Sequence, residues 1–180
     1  MVLLIMGASH TGKTALAQKL LEKYKFPYLS IDHLKMGLIR SGYTSLTPED
    51  DDALTGYLWP VVREMIKTVI ENRQNLIVEG CYIPFSWRED FEEGYLGQIR
   101  CLCLIFSGDY IRKHFAEIKG YANVMEKRLE DGEYSMESAL RDNARFLELA
   151  REHGIPHVLM EEEYRTDLPQ LLFPGEGAPS

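Results

Sequence analysis

Eight consecutive residues, Gly7-Ala8-Ser9-His10-Thr11-Gly12-Lys13-Thr14, constrain this chain more than any other stretch, because they satisfy G-x-x-x-x-G-K-[ST] at every fixed position. The flanks suit the pattern. Val2-Leu3-Leu4-Ile5-Met6 is a continuous apolar run, as in a strand covered on both faces. Leu16, Ala17, Leu20, Leu21 and Tyr24 then recur at helical spacing. A strand, a glycine-bounded turn and a helix in that order face successive backbone N–H groups inward, and the positive end of the helix points the same way. That arrangement cradles a polyphosphate. Gly7 and Gly12 free the backbone to curl, Lys13 sets an ammonium against the β- and γ-phosphates, and the Thr14 hydroxyl suits magnesium. Gly7 through Thr14 are therefore the expected nucleotide-binding residues, with Ser9 and His10 at variable positions expected to matter little. ATP and Mg2+ are the expected ligands, although no residue separates ATP from GTP.

The rest of the chain alternates strand and helix signals. Pro27-Tyr28-Leu29 reads as a short second strand, followed by a helix near 32–40. Thr47-Pro48-Glu49-Asp50 reads as a helix start, with Thr47 as N-cap and proline at the first helical position. Leu54, Leu58, Val61, Met65 and Val69 carry an apolar stripe to about residue 72, with Pro60 expected to kink it. Asn75 to Val78 predicts a third strand ending at Glu79-Gly80, and 81–99 is irregular with two aromatic clusters. Arg100 to Phe106 predicts a buried strand, Asp109 to Lys119 a helix, and 120–135 a mobile segment. A long helix from Ser135 to His153 stops at Gly154, Ile155 to Met160 forms a last strand, and 164–172 a last helix. The tail 174–180 is expected to be disordered. This order predicts one α/β domain over 1–173, a parallel sheet between helical layers. Ligands bind such sheets beyond the carboxyl ends of the strands, and Gly7, Asp32 and Glu79 all fall at that edge.

Charged residues near that edge are the candidates for chemistry. Asp32, after the second strand, can take the proton of an acceptor hydroxyl, help hold magnesium, or simply cap the next helix. Glu79, ending the third strand, suits a magnesium-bound water, so Thr14 and Glu79 are the expected metal residues. Lys35 shares a helix face with Asp32, and Arg40 ends that helix; either can grip an anionic acceptor or be an ordinary surface cation. Arg141 and Arg145 project from one helix face and can clamp a transferring phosphoryl group. Glu137 and Glu148 lie at ion-pair spacing from them, which offers a plain surface explanation. Arg128, and Arg112 before it, can be carried in by a lid that closes over the phosphates.

Composition narrows the partners. A formal charge of −8 argues against a broad nucleic-acid surface but leaves room for a small phosphorylated ligand. Cys81, Cys101 and Cys103 form no C-x-x-C, and no histidine cluster completes a zinc site. Cys101 and Cys103 alternate along a strand and should share one face as small apolar residues. An odd number of thiols suggests the reducing cytoplasm. Met1 to Met6 is too short and lacks the basic flank of a signal sequence, and no apolar stretch suits a bilayer, so no membrane association is expected.

With the loop Gly7 to Thr14, the segment Ser30-Ile31-Asp32-His33-Leu34, Val78-Glu79-Gly80 and the arginine-bearing stretch 112–145, the chain resembles the small-molecule P-loop kinases. That group includes adenylate, shikimate and gluconate kinases, 2-phosphoglycerate kinase-like proteins, zeta toxins and chloramphenicol phosphotransferase. The resemblance implies a P-loop NTPase three-layer sandwich with strand order 2-3-1-4-5 and a small helical lid at about 109–135. It also implies that the acid after strand two serves the acceptor, and that adenine sits near 161–166. On this reading Lys13, Asp32, Arg128, Arg141 and Arg145 are the catalytic set, and the reaction moves the γ-phosphate of ATP to a hydroxyl or phosphate of a small molecule. Val78-Glu79-Gly80 is closer to the 2-phosphoglycerate kinase-like pattern than to the Asp-Gly of nucleotide kinases. The acid pair and sugar-binding glycines of shikimate kinases are missing. So are the N-K-x-D and D-x-x-G of GTPases and the L-S-G-G-Q of transporter ATPases. A non-catalytic or slow nucleotide-binding sensor is the second reading.

Overall fold

Every residue of β1 (Val2–Gly7) is buried, and its side chains feed two separate cores. Val2, Leu4 and Met6 enter one, Leu3 and Ile5 the other, as the two-residue period of a strand requires. A strand with no solvent face belongs at the centre of a sheet with helices on both sides. The structure, a computed structural model describing residues 1–125, 134–165 and 168, has that architecture.

Five strands pair in parallel in the order β2-β3-β1-β4-β5: β2 is Tyr28–Ser30, β3 Leu76–Gly80, β4 Ile99–Phe106 and β5 His157–Met160. The expected fold class and strand order are those observed. β4 repeats the alternation of β1: Ile99, Cys101, Cys103 and Ile105 face the first core, and Leu102, Leu104 and Phe106 the second. Both strand cysteines thus share a face, as their spacing predicts.

Helix α1 (Lys13–Tyr24) covers the second core with Leu16, Ala17, Leu20 and Tyr24. α2 (Ile31–Arg40) starts directly from β2, with Ser30 at its N-cap position. α3 (Asp51–Glu71) lies over the first core. Its start is three residues later than the sequence suggests. Asp50, not Thr47, precedes it, and the Asp50 carboxylate accepts from the Thr47 backbone N–H at 2.8 Å and its hydroxyl at 2.9 Å. Thr47-Pro48-Glu49-Asp50 is therefore a turn closed by its own side chains.

The apolar line of α3 also differs from the expected one. Leu54, Leu58, Val62, Ile66 and Ile70 are buried, whereas Val61 and Met65 are 45% and 39% exposed. Two neighbouring lines on this helix are apolar, so periodicity alone does not choose between them. Trp59 does. Its indole N–H donates to Asp90 Oδ2 at 2.7 Å and its ring packs edge-on against Phe91, which fixes the rotation of the helix.

The stretch after β3 holds a 3-10 turn, Trp87–Asp90, and the single turn α4 (Glu93–Leu96). α5 (Gly108–Met125) continues through Gly120, beyond the expected stop at Lys119. Residues 126–133 of the expected lid, Arg128 among them, lie outside the described residues, as do the tail 174–180 and most of the expected helix 164–172. α6 (Met136–Glu152) opens with a capping box in which the Ser135 and Ser138 side chains each bond the other residue's backbone N–H. Among the described residues no helix is long and apolar enough to cross a membrane.

Candidate functional site

The turn between β1 and α1 takes its shape from residues with left-handed or otherwise positive φ. Gly7 has φ 152°, His10 65° and Gly12 84°. A side chain on Gly7 would meet the Leu104 carbonyl oxygen and Thr11 Oγ1, and one on Gly12 would run into the Tyr164 ring. The loop closes on itself: the Ala8 carbonyl accepts from Thr11 Oγ1 at 2.9 Å and from Lys13 Nζ at 2.8 Å. Lys13 is buried, so its ammonium is held over the loop rather than in solvent.

Thr14 and Glu79, far apart in sequence, meet: the Thr14 hydroxyl donates to Glu79 Oε1 at 3.1 Å. Glu79 is still within β3, flanked in register by Ile5 of β1 and Ser30 of β2, and is 1% exposed. Burial pushes its carboxyl above the usual carboxylate range; the Lys13 ammonium pulls it back down, and the Asp32 carboxylate adds to the rise. Lys13, Asp32 and Glu79 thus lie within each other's field. Glu79 Oε2 is buried without a hydrogen-bond partner, as is Ser30 Oγ. A hydroxyl and a carboxylate oxygen side by side, with one more carboxylate oxygen unsatisfied, suit magnesium, which keeps waters and substrate oxygens in most of its positions. Among the described residues no group of three or more His, Cys, Asp or Glu side chains is arranged to hold a metal by itself.

Asp32 does not cap α2. It sits in the first turn, where the helix end favours an acid, and its Oδ1 lies 2.8 Å from Lys35 Nζ. The face-sharing expected of these two residues is therefore real. Lys35 is itself buried, and Arg40 is exposed at the other end of the helix.

Beside the loop opens a cleft of about 740 Å³. It is lined by Ala8 and Ser9 of the loop, the first turn of α3 with Asp51, Tyr82 to Phe85, and Arg141 and Arg145 of α6. The two arginines are thus brought to the phosphate loop. Their expected partners are not used: Arg141 Nε lies 3.1 Å from Asp142 Oδ1, and among the described residues neither Glu137 nor Glu148 pairs with this face. Arg112 is not in the cleft; it pairs with Asp109 at 3.1 Å on an exposed surface. Asp32 does not line the cleft directly.

Packing around the loop uses residues whose contacts the sequence did not reveal. His10, expected to matter little, packs its ring edge-on against Tyr134 at 4.0 Å, tying the loop to the residue before the α6 cap. Tyr164 leans on the loop at Gly12, in the segment where the resemblance puts adenine; burial first, and Tyr110 next, push its phenol up to about 12. Asn143 is buried, accepting from the Phe106 backbone N–H and donating to the Ala139 carbonyl, both at 2.9 Å, so it pins α6 to the end of β4.

No protein-family model matches the chain, and no curated protein does. Solved structures match over nearly all of it. A gluconokinase from Sinorhizobium meliloti 1021 aligns with TM-score 0.53 at 16% identity, over 95% of this chain and 89% of its own. A sugar kinase from Janibacter sp. HTCC2649 aligns with TM-score 0.51 at 18% identity, over 95% and 89%. Deoxyadenosine kinase from M. mycoides aligns with TM-score 0.57 at 12% identity, over 95% and 96%. Together with the strand order, these likenesses assign the chain the fold of the P-loop small-molecule kinases.

Proposed function

We propose that the chain is a phosphotransferase that uses ATP and Mg2+ to phosphorylate a hydroxyl or phosphate of a small acceptor held in the cleft beside Ser9. One observation carries this reading. The loop lysine, the Thr14–Glu79 pair and the arginine-walled cleft converge on the carboxyl edge of the sheet.

In this mechanism the loop amides and Lys13 bind the β- and γ-phosphates, the ammonium exchanging the Ala8 carbonyl for phosphate oxygens. Bound Mg2+ supplies charge neutralisation at the phosphates, with Thr14 and Glu79 as its protein-side residues. Asp32, set behind the cleft lining and paired with Lys35, would accept the proton of an attacking hydroxyl that reaches in from the cleft. Arg141 and Arg145 would face the transferring group as charge develops on its oxygens, and Arg128, outside the described residues, is proposed as a third cation by the resemblance alone.

Calorimetry with ATP and Mg2+, followed by an acceptor screen, tests the reading. Wild-type protein should bind, and Lys13→Ala should weaken binding about tenfold or more, the loss of charged hydrogen bonds. A hydroxylated or phosphorylated metabolite should accelerate ATP consumption, and Asp32→Asn should abolish that acceleration while leaving ATP affinity in place. Normal ATP binding by Lys13→Ala would sink the proposal, and binding without turnover across the screen would favour the sensor reading instead.

A further inference from the structure

The Tyr82 hydroxyl lies between two charged groups that come from different helices. It accepts a hydrogen bond from Lys35 Nζ at 3.0 Å and donates one to Asp51 Oδ1 at 2.9 Å. Lys35 Nζ is also 2.8 Å from Asp32 Oδ1 and stands 5.0 Å from the centre of the Tyr82 ring. The sequence Asp32–Lys35–Tyr82–Asp51 is thus an unbroken line of alternating partners: carboxylate, ammonium, hydroxyl, carboxylate. One end is the candidate base. The other end is the first residue of α3, on the wall of the cleft.

Burial makes the line stiff. Lys35 and Tyr82 are 8% and 3% exposed, so neither can trade its partners for water without cost. Asp32 alone would satisfy the charge of Lys35 through a local pair three residues apart. The bond to Tyr82 adds a partner 47 residues away, which ties α2 to the segment after β3. Burial, with the carboxylates of Asp51 and Asp32 adding to it, keeps the Tyr82 phenol protonated well beyond the usual tyrosine range, so it remains a donor to Asp51. The Lys35 ammonium is bonded to both Asp32 and Tyr82, so its place in the line is structural.

We propose that Lys35 and Tyr82 are positioning residues that hold the Asp51 wall of the cleft in register with Asp32, so that an acceptor bound against Asp51 presents its hydroxyl to that carboxylate. The inference rests on the phosphotransfer reading above. Binding of ATP lies outside the line, whereas capture and alignment of the acceptor depend on it.

Tyr82→Phe tests this, because it keeps the ring and its contact with the ammonium and removes only the hydroxyl. In the full-length protein the KM of the accelerating metabolite should rise about tenfold or more, as for a lost hydrogen bond to a charged group, and kcat should fall less. The Kd for ATP with Mg2+ should stay within about twofold. Lys35→Arg should keep acceptor KM closer to wild type than Lys35→Met does. If the screen yields no accelerating metabolite, hydrogen exchange decides: the Leu54 amide, bonded to the Asp50 carbonyl in the first turn of α3, should exchange about tenfold faster in Tyr82→Phe. An unchanged acceptor KM, an equal rise in ATP Kd, or, where no acceptor turns over, unchanged Leu54 exchange overturns the positioning role. Those outcomes leave the phosphate loop untouched, which Lys13→Ala tests separately.

Discussion

Replacing Gly7 with alanine probes how tightly the sheet and the phosphate loop are joined. Two costs arise at this position. Its φ of 152° lies in a range that residues with a side chain rarely adopt, at about 1–3 kcal/mol. The added Cβ would also lie 2.5 Å from the Leu104 carbonyl oxygen and 2.6 Å from Thr11 Oγ1. The threonine can turn away by giving up its bond to the Ala8 carbonyl. The Leu104 carbonyl cannot, because Gly7 and Leu104 are partners in the β1–β4 ladder. Overpacking of this kind costs about 1–3 kcal/mol. The sum, about 2–6 kcal/mol, is a large share of the 5–15 kcal/mol typical of a whole domain. Gly37 supplies the control. It is exposed within α2 with nothing within 4 Å of the added carbon, so Gly37→Ala should stabilise by about 0.5–1 kcal/mol. Urea unfolding followed by the fluorescence of the buried Trp59 and Trp87 measures both. Gly7→Ala should also melt on the order of 10 °C lower, at about 2–4 °C per kcal/mol. If Gly7→Ala unfolds within about 0.5 kcal/mol of wild type and binds ATP as tightly, the strained junction inferred here is wrong.

Two further outcomes follow from buried acids. Glu79 holds its proton in the folded chain at pH values where the unfolded chain has lost it, so its contribution to stability falls as pH rises from the ordinary carboxyl range through its raised value. Glu79→Gln should remove that fall, gaining on wild type between pH 4 and 8; a difference in urea midpoint that stays constant across that range contradicts the assignment. The thiols of Cys81 and Cys101 are each pushed up to about 12 by burial, and Cys103 is raised for the same first reason. A thiol reagent at pH 8 should therefore spare Cys101 and Cys103 in native protein and label them in urea, with the half-buried Cys81 reacting ahead of them, and rapid native labelling of Cys101 or Cys103 would refute the packing of β4.

How much of this was legible in the sequence depended on whether a feature is set by neighbours along the chain or across it. The phosphate loop, the central strands and the alternation of Cys101 and Cys103 are local patterns, and each is present where its spacing puts it. The strand order was accessible only through resemblance. The start of α3 was misread because Asp50 and Thr47 bond each other instead of opening the helix there, and side-chain chemistry in a turn resembles a cap. The buried face of α3 was misread because it is chosen by Trp59 through Asp90 and Phe91, which no window of residues 51–71 contains. Arg141 and Arg145 could be named but not weighed, since only the packing of α6 brings them to Ser9.

The same division explains why the nucleotide half of the site reads more clearly than the acceptor half. On the proposed reading phosphate would be held by backbone amides and one ammonium, and the geometry of a strand, turn and helix requires those residue types in a fixed order. On the same reading an acceptor would be held by side chains from the start of α3, the segment after β3 and α6, with no spacing rule among them. Tyr82 shows the consequence. Nothing in its sequence neighbourhood marks it, yet its hydroxyl joins Asp32, through Lys35, to the cleft lining at Asp51. Changes of acceptor within this fold should therefore come from residues of that kind, leaving Gly7 to Thr14 as they are.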